Sequence, residues 1–148
     1  MKRIIAFALL ASLAIPQQSL GMHRKKVKKN AAQAATPNLE GKWVLTYIEG
    51  GDVAKLYKGK IPEMNFDLKI GKITGNNGCN SIFGTVKVEG SKIIFLTPLG
   101  STKMACEGNG EELFMAGLAK MTSFSFHGND EIDLIGGDLG IMRLQRKK

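Results

Sequence analysis

Between residues 64 and 70 the chain reads M-N-F-D-L-K-I, apolar at every second position. A period of two belongs to a β-strand with one buried and one wet face, because successive side chains leave the pleat on opposite sides. Met64, Phe66, Leu68 and Ile70 are therefore expected in a core, with Asn65, Asp67 and Lys69 in water. Runs of the same kind recur between turn signals: K-W-V-L-T-Y-I at 42–48, K-I-T-G at 72–75, T-V-K-V-E at 85–89 and K-I-I-F-L at 92–96. Gly90 and Ser91 separate the last two as a two-residue hairpin connection. S-F-S-F-H, E-I-D-L-I and G-I-M-R-L-Q then close the chain as a meander. The fold class expected is mainly β: an antiparallel meander of about eight strands curled into a small barrel. Trp43, the sole tryptophan, is expected to anchor its core.

One stretch breaks the alternation. Asn109 followed three residues later by Glu112 has the form of a capping box, and Leu113, Gly117, Leu118 and Met121 repeat at helical spacing. Glu111 and Glu112 at the start and Lys120 near the end suit the helix dipole. This predicts one α-helix near residues 110–121, packed against the barrel or plugging it.

The first 37 residues read differently. Lys2 and Arg3 precede a twelve-residue apolar run at 4–15, then Pro16 and the small-x-small triplet Ser19, Leu20, Gly21, which is the pattern of a secretory signal. The run falls short of the about 20 apolar residues that span a bilayer. Segment 1–21 is thus expected to be cleaved, leaving a periplasmic or secreted protein. The alternative is an uncleaved membrane anchor, favoured by basic residues after the run that oppose translocation. Lipidation of a new N-terminal cysteine is not available, since the first cysteine is Cys79.

Residues 22–37 are read as a basic flexible linker, in which Arg24, Lys25, Lys26, Lys28 and Lys29 could contact an anionic lipid or polymer. These charges account for most of the +8 net charge. Of the 21 Lys and Arg, two lie in the signal and five in the linker, so 14 basic residues face 13 acidic ones in residues 38–148. The domain at 38–148 is nearly neutral, and a nucleic-acid partner is not expected. A monomer is.

Few residues offer chemistry. Cys79 and Cys106 lie 27 positions apart in a chain expected to reach an oxidising compartment, so a disulfide is the leading reading. Zinc lacks ligands, because His23 lies in the linker and His127 alone in the domain. A cysteine nucleophile paired with His127 would have no local signature. There is neither a G-x-S-x-G elbow nor a phosphate loop, and the adjacent acids Glu111–Glu112 and Asp130–Glu131 read as capping and solvated. No catalytic, cofactor or metal residue is assigned. Asn76, Asn77, Gly78 and Asn80 suit left-handed positions of a tight turn; the functional alternative is that this turn shapes a pocket rim.

Four motifs occur in one order: W-V-L at 43–45, G-N-N-G-C-N-S-I-F-G at 75–84, T-K-M-A-C at 102–106 and E-x-x-F at 111–114. Over residues 38–146 the chain resembles the META/HslJ domain family. The resemblance implies a small barrel-like β fold with one helix, frequent export, an association with envelope stress or antibiotic tolerance, and no enzymatic activity or cofactor. By position it carries Gly78, Cys79, Asn80 and Gly84 from one motif and Thr102, Met104, Ala105 and Cys106 from another. The basic linker and the missing lipoprotein cysteine depart from many exported relatives. The function expected is non-enzymatic binding of a hydrophobic ligand or an envelope protein; the alternative is surface tethering through the basic linker.

Overall fold

The computed structural model describes residues 38–148; the signal-like segment and the basic linker lie outside the described residues. In chain order the elements are β1 (Gly41–Ile48), α1 (Val53–Leu56), β2 (Glu63–Asp67), β3 (Lys72–Asn76), β4 (Ser81–Glu89), β5 (Lys92–Phe95), β6 (Gly100–Ser101), α2 (Gly110–Lys120), β7 (Ser123–His127), β8 (Glu131–Gly136) and β9 (Leu139–Arg146). The strands pair antiparallel in the order β3-β2-β1-β9-β8-β7-β5-β4, and a β3–β4 pairing joins the ends. Eight strands thus form a ring, as expected of a curled meander. The ninth, β6, is two residues that prolong the sheet beside Ile82 and Phe83 of β4.

Alternation puts one face of each strand inside. Trp43, Leu45, Met64, Phe66, Ile73, Ile82, Ile132, Leu134 and Leu144 are all buried in one core. Trp43 is fully enclosed: its Nε1 donates to the Leu39 carbonyl at 2.9 Å, and the Arg146 guanidinium lies 4.2 Å over its ring. That guanidinium also donates to the carbonyls of Asn38 and Glu40, each at 2.6 Å, so the start of the domain is tied to the end of β9.

The alternation at 64–70 overruns its strand. β2 stops at Asp67 and a turn ending in Gly71 at φ +64° follows, so Leu68 is half-buried and Ile70 is 61% exposed. The Gly90–Ser91 hairpin forms as expected, with Glu89 opposite Lys92. The expected capping box does not form. Asn109 sits at φ −110°, ψ 10°, outside the extended region that aims a cap side chain at the first amides, and its side chain makes no cap bond. α2 buries Gly110, Phe114 and Leu118, while Leu113 and Gly117 are half-buried. α1 is a single turn that the sequence reading lacks; Asp52 caps it by accepting from the Ala54 and Lys55 amides at 2.9 and 3.4 Å.

The ring is uneven. β8 and β9 share six register pairs, whereas β5 and β7 meet only at Lys92 and Ser123, backed by bonds from Phe124 N to Ser91 O and Ile93 N to Thr122 O. After β5, Leu96 N still donates to Thr85 O; the chain then leaves the ladder at 97–99, touches β4 as β6, and runs exposed over residues 102–109 to α2.

Candidate functional site

The fold brings the marked turn, the exposed run and the start of α2 together. At the turn only Gly78 is left-handed, at φ +96°; no non-glycine residue among those described has a positive φ. The expected left-handed asparagines are therefore corrected. Their side chains, not their backbone freedom, are what the turn uses, for Asn76, Asn77 and Asn80 are all buried.

Asn77 Oδ1 accepts from the amides of Asn80 (2.7 Å) and Cys79 (3.1 Å), closing the turn, and Asn76 Oδ1 accepts from the Gly78 amide at 2.9 Å. Asn80 reaches across to the exposed run. Its Oδ1 accepts from Thr102 Oγ1 at 2.8 Å and from the Met104 amide at 2.7 Å, and its Nδ2 lies 3.2 Å from the Met104 carbonyl. Asn80 Nδ2 also faces both oxygens of Glu111 at 3.0 Å, and Asn77 Nδ2 donates to Glu111 Oε1 at 3.0 Å. The Cys79–Cys106 disulfide forms, with Cα atoms 6.1 Å apart, beside this network.

The marked Gly78 and Gly84, and Gly110 with them, make room. An added Cβ at Gly78 would come within 2.4 Å of the Tyr57 ring, and one at Gly110 within 2.7 Å of it. Tyr57 lies between them and donates its hydroxyl to the Gly110 carbonyl at 2.7 Å. Burial disfavours its phenolate and pushes its pKa up to about 12. At Gly84 a Cβ would meet Leu99 Cδ2 at 2.5 Å, so this glycine lets the segment after β5 pack onto β4.

These groups spend their bonding capacity on one another. Both cysteines are bridged, so the Cys–His127 pairing does not form; His127 Nε2 instead lies 2.7 Å from Asp133 Oδ2 on β8. The Arg143 guanidinium, 2.7 Å from Asp133, holds that carboxyl below its ordinary pKa against the opposing effect of burial, and His127 adds to it. Glu111 is half-buried and bound by two amides rather than solvated, a further correction. Asp130 is half-buried, in a turn, and pairs with Lys148 at 3.1 Å and Arg146 at 3.7 Å.

Two clefts flank the region. One, of about 390 Å³, has Tyr57, Lys58, Lys60, Gly78, Glu111 and the disulfide in its walls, so the marked turn does form a rim. The other, of about 490 Å³, lies between the 95–99 segment and α2. Phe95, Leu96, Thr97, Pro98, Leu99, Met115, Leu118 and Ala119 line it, none of them ionisable, and Leu96 is 57% exposed. The sequence reading missed this cleft and Tyr57. Leu96, Pro98 and Leu99 past the end of a strand were the available signal for the former.

Residues 36–148 match a family model described as the META domain. No curated protein matches the chain. A solved structure described as the NMR structure of the protein from Burkholderia xenovorans superposes with a TM-score of 0.57 at 22% identity, over 74% of this chain and 83% of that one. That likeness supports the fold.

Proposed function

The chain belongs to the META domain family, and from that premise we propose that it is an exported, non-enzymatic domain that binds an apolar ligand in the cleft between the 95–99 segment and α2. The carrying observation is the cleft lining: apolar side chains with one threonine among them, a flexible thioether at Met115 and no ionisable group. The barrel interior is filled by Trp43, Phe66, Phe114 and their neighbours, so a ligand has room at this surface and not inside. A role in envelope stress or antibiotic tolerance rests on the family resemblance, and export rests on residues 1–21.

The test uses N-phenylnaphthylamine, a neutral fluorescent probe. The native protein should bind it saturably, and Leu96→Glu and Ala119→Glu, both exposed positions, should weaken binding at least about tenfold by placing a charge where only apolar surface can compensate. Unchanged binding in both variants contradicts the assignment. Export is checked by intact mass: loss of residues 1–21 supports it, and a full-length chain opposes it.

A second reading rests on the five cations at residues 24–29, which would hold the domain on an anionic surface at about 1 kcal/mol per residue. Vesicle binding should then fall with salt and vanish when all five become Gln; insensitivity to both refutes it.

A further inference from the structure

Met104 is held by its main chain and not by its side chain. Asn80 accepts from its amide at 2.7 Å and lies 3.2 Å from its carbonyl, and the disulfide fixes the chain two residues on at Cys106. The side chain nevertheless stands 60% exposed, in a run where every residue from 102 to 109 faces solvent. A clamped backbone that presents an apolar, oxidisable side chain to water is unusual use of a methionine, a residue that ordinarily fills gaps in a core. Met64, Met121 and Met142 do fill the core, and Met115 is half-buried in the apolar cleft.

Thioether oxidation needs no activation by a neighbouring base, so access to the sulfur decides which methionine reacts. The domain has no competing thiol, because both cysteines are already bridged. We propose that Met104 is an oxidant-responsive modification site, converted to its sulfoxide by two-electron oxidants of the hydroperoxide class. The sulfur lone pair attacks the terminal peroxide oxygen; an S–O bond forms, the O–O bond breaks, and after proton transfer the other oxygen leaves as water from hydrogen peroxide or as an alcohol from an organic hydroperoxide. Sulfur gives up the two electrons that the peroxide gains. Methionine sulfoxide reductases reverse the change, a thiol pair giving up two electrons to become a disulfide while the oxygen leaves as water; the free reductant used before alkylation does not reverse it. Because most of the Met104 surface is already in water and it is not part of the core, the polar sulfoxide is tolerated there, whereas in the core it would disrupt packing. The fold thus carries a switchable surface group beside the clasp that need not unfold to respond.

The experiment treats the native full-length protein with graded hydrogen peroxide, quenches with free methionine, then reduces, alkylates and digests with a protease that cuts after glutamate. Met104 then falls alone in peptide 90–107, Met64 alone in 64–89, Met142 alone in 132–148, and Met115 with Met121 in 113–131. Peptide 90–107 should gain one oxygen at least about tenfold faster than 64–89 and 132–148, and ahead of 113–131. Protein oxidised at Met104 alone should melt at the temperature of untreated protein. Comparable rates across the peptides, or a melting point lowered by oxidation at Met104 alone, would overturn the proposal.

Discussion

The wall formed by β8, β9 and β1 and the region around the β5–β7 seam complete one barrel by different means. In the wall, β9 shares six register pairs with β8 and five with β1, and Trp43, Ile132, Leu134 and Leu144 point inward from it. At the seam a single register pair joins β5 to β7, and the segment that follows β5 keeps only scattered backbone bonds to β4, from Leu96 N to Thr85 O, through the two-residue β6, and from Thr102 N to Ser81 O. Side chains supply most of the rest of its hold: Leu99 against Gly84, Asn80 on Thr102 and Met104, and the disulfide. A regular ladder distributes stability over many equivalent bonds, while a clasp concentrates it in a few. The clasped segment is thereby left free to form the wall of a cleft.

The largest way to break this contrast is Trp43→Ala, which should cost about 3–5 kcal/mol in denaturant unfolding by removing the largest fully buried side chain of the wall. A cost below about 1 kcal/mol would mean that the wall is not where burial is concentrated. Next, replacing Cys79 and Cys106 together by Ala should cost about 3–4 kcal/mol on the chain-entropy argument for a loop of this length. Refolding under reducing conditions measures it, and an unchanged midpoint would leave the clasp to hydrogen bonds alone.

Asn80→Ala should cost about 2–3 kcal/mol, since it strips partners from the Met104 amide and the Glu111 carboxylate. Because Asn80 and the disulfide hold the same segment, the triple variant should depart from additivity by more than about 0.5 kcal/mol. Strict additivity would show two independent fastenings.

Smallest is Tyr57→Phe, which removes the hydroxyl bond to Gly110 and should cost about 1 kcal/mol. It also sharpens the pH dependence. The Tyr57 pKa is raised from 10.0 to about 12, so folding keeps its proton bound where the unfolded chain would release it. That contribution is whole below pH 10 and is lost as the pH rises through about 12. The Phe variant should lose less stability over this window than the parent; equal losses would contradict the burial of the phenol.

What was legible in the sequence follows the same division. Regular burial leaves a periodic trace, so the strands, the inward Trp43 and, on α2 and just past it, Leu118 and Met121 could be read. The trace misled at Leu68 and Ile70, where alternation ran past the end of β2 at Asp67, and on α2, where its stripe took in the half-buried Leu113 and Gly117 and left out the buried Phe114. The clasp leaves no period. Asn77 and Asn80 look like turn residues locally, and that they reach Glu111, more than thirty positions away, follows from how the strands close. Gly84 gave no hint of Leu99, and a four-residue α1 lies below what spacing can detect.

Amide hydrogen exchange of the native protein, read residue by residue, tests the division most directly. The amides of β1, β8 and β9 should exchange only through global unfolding, while those of the 96–104 segment and the seam exchange through local opening, orders of magnitude sooner. Equal protection in both regions would contradict it, and would make the barrel one uniformly closed structure with no loosely held wall for a ligand to use.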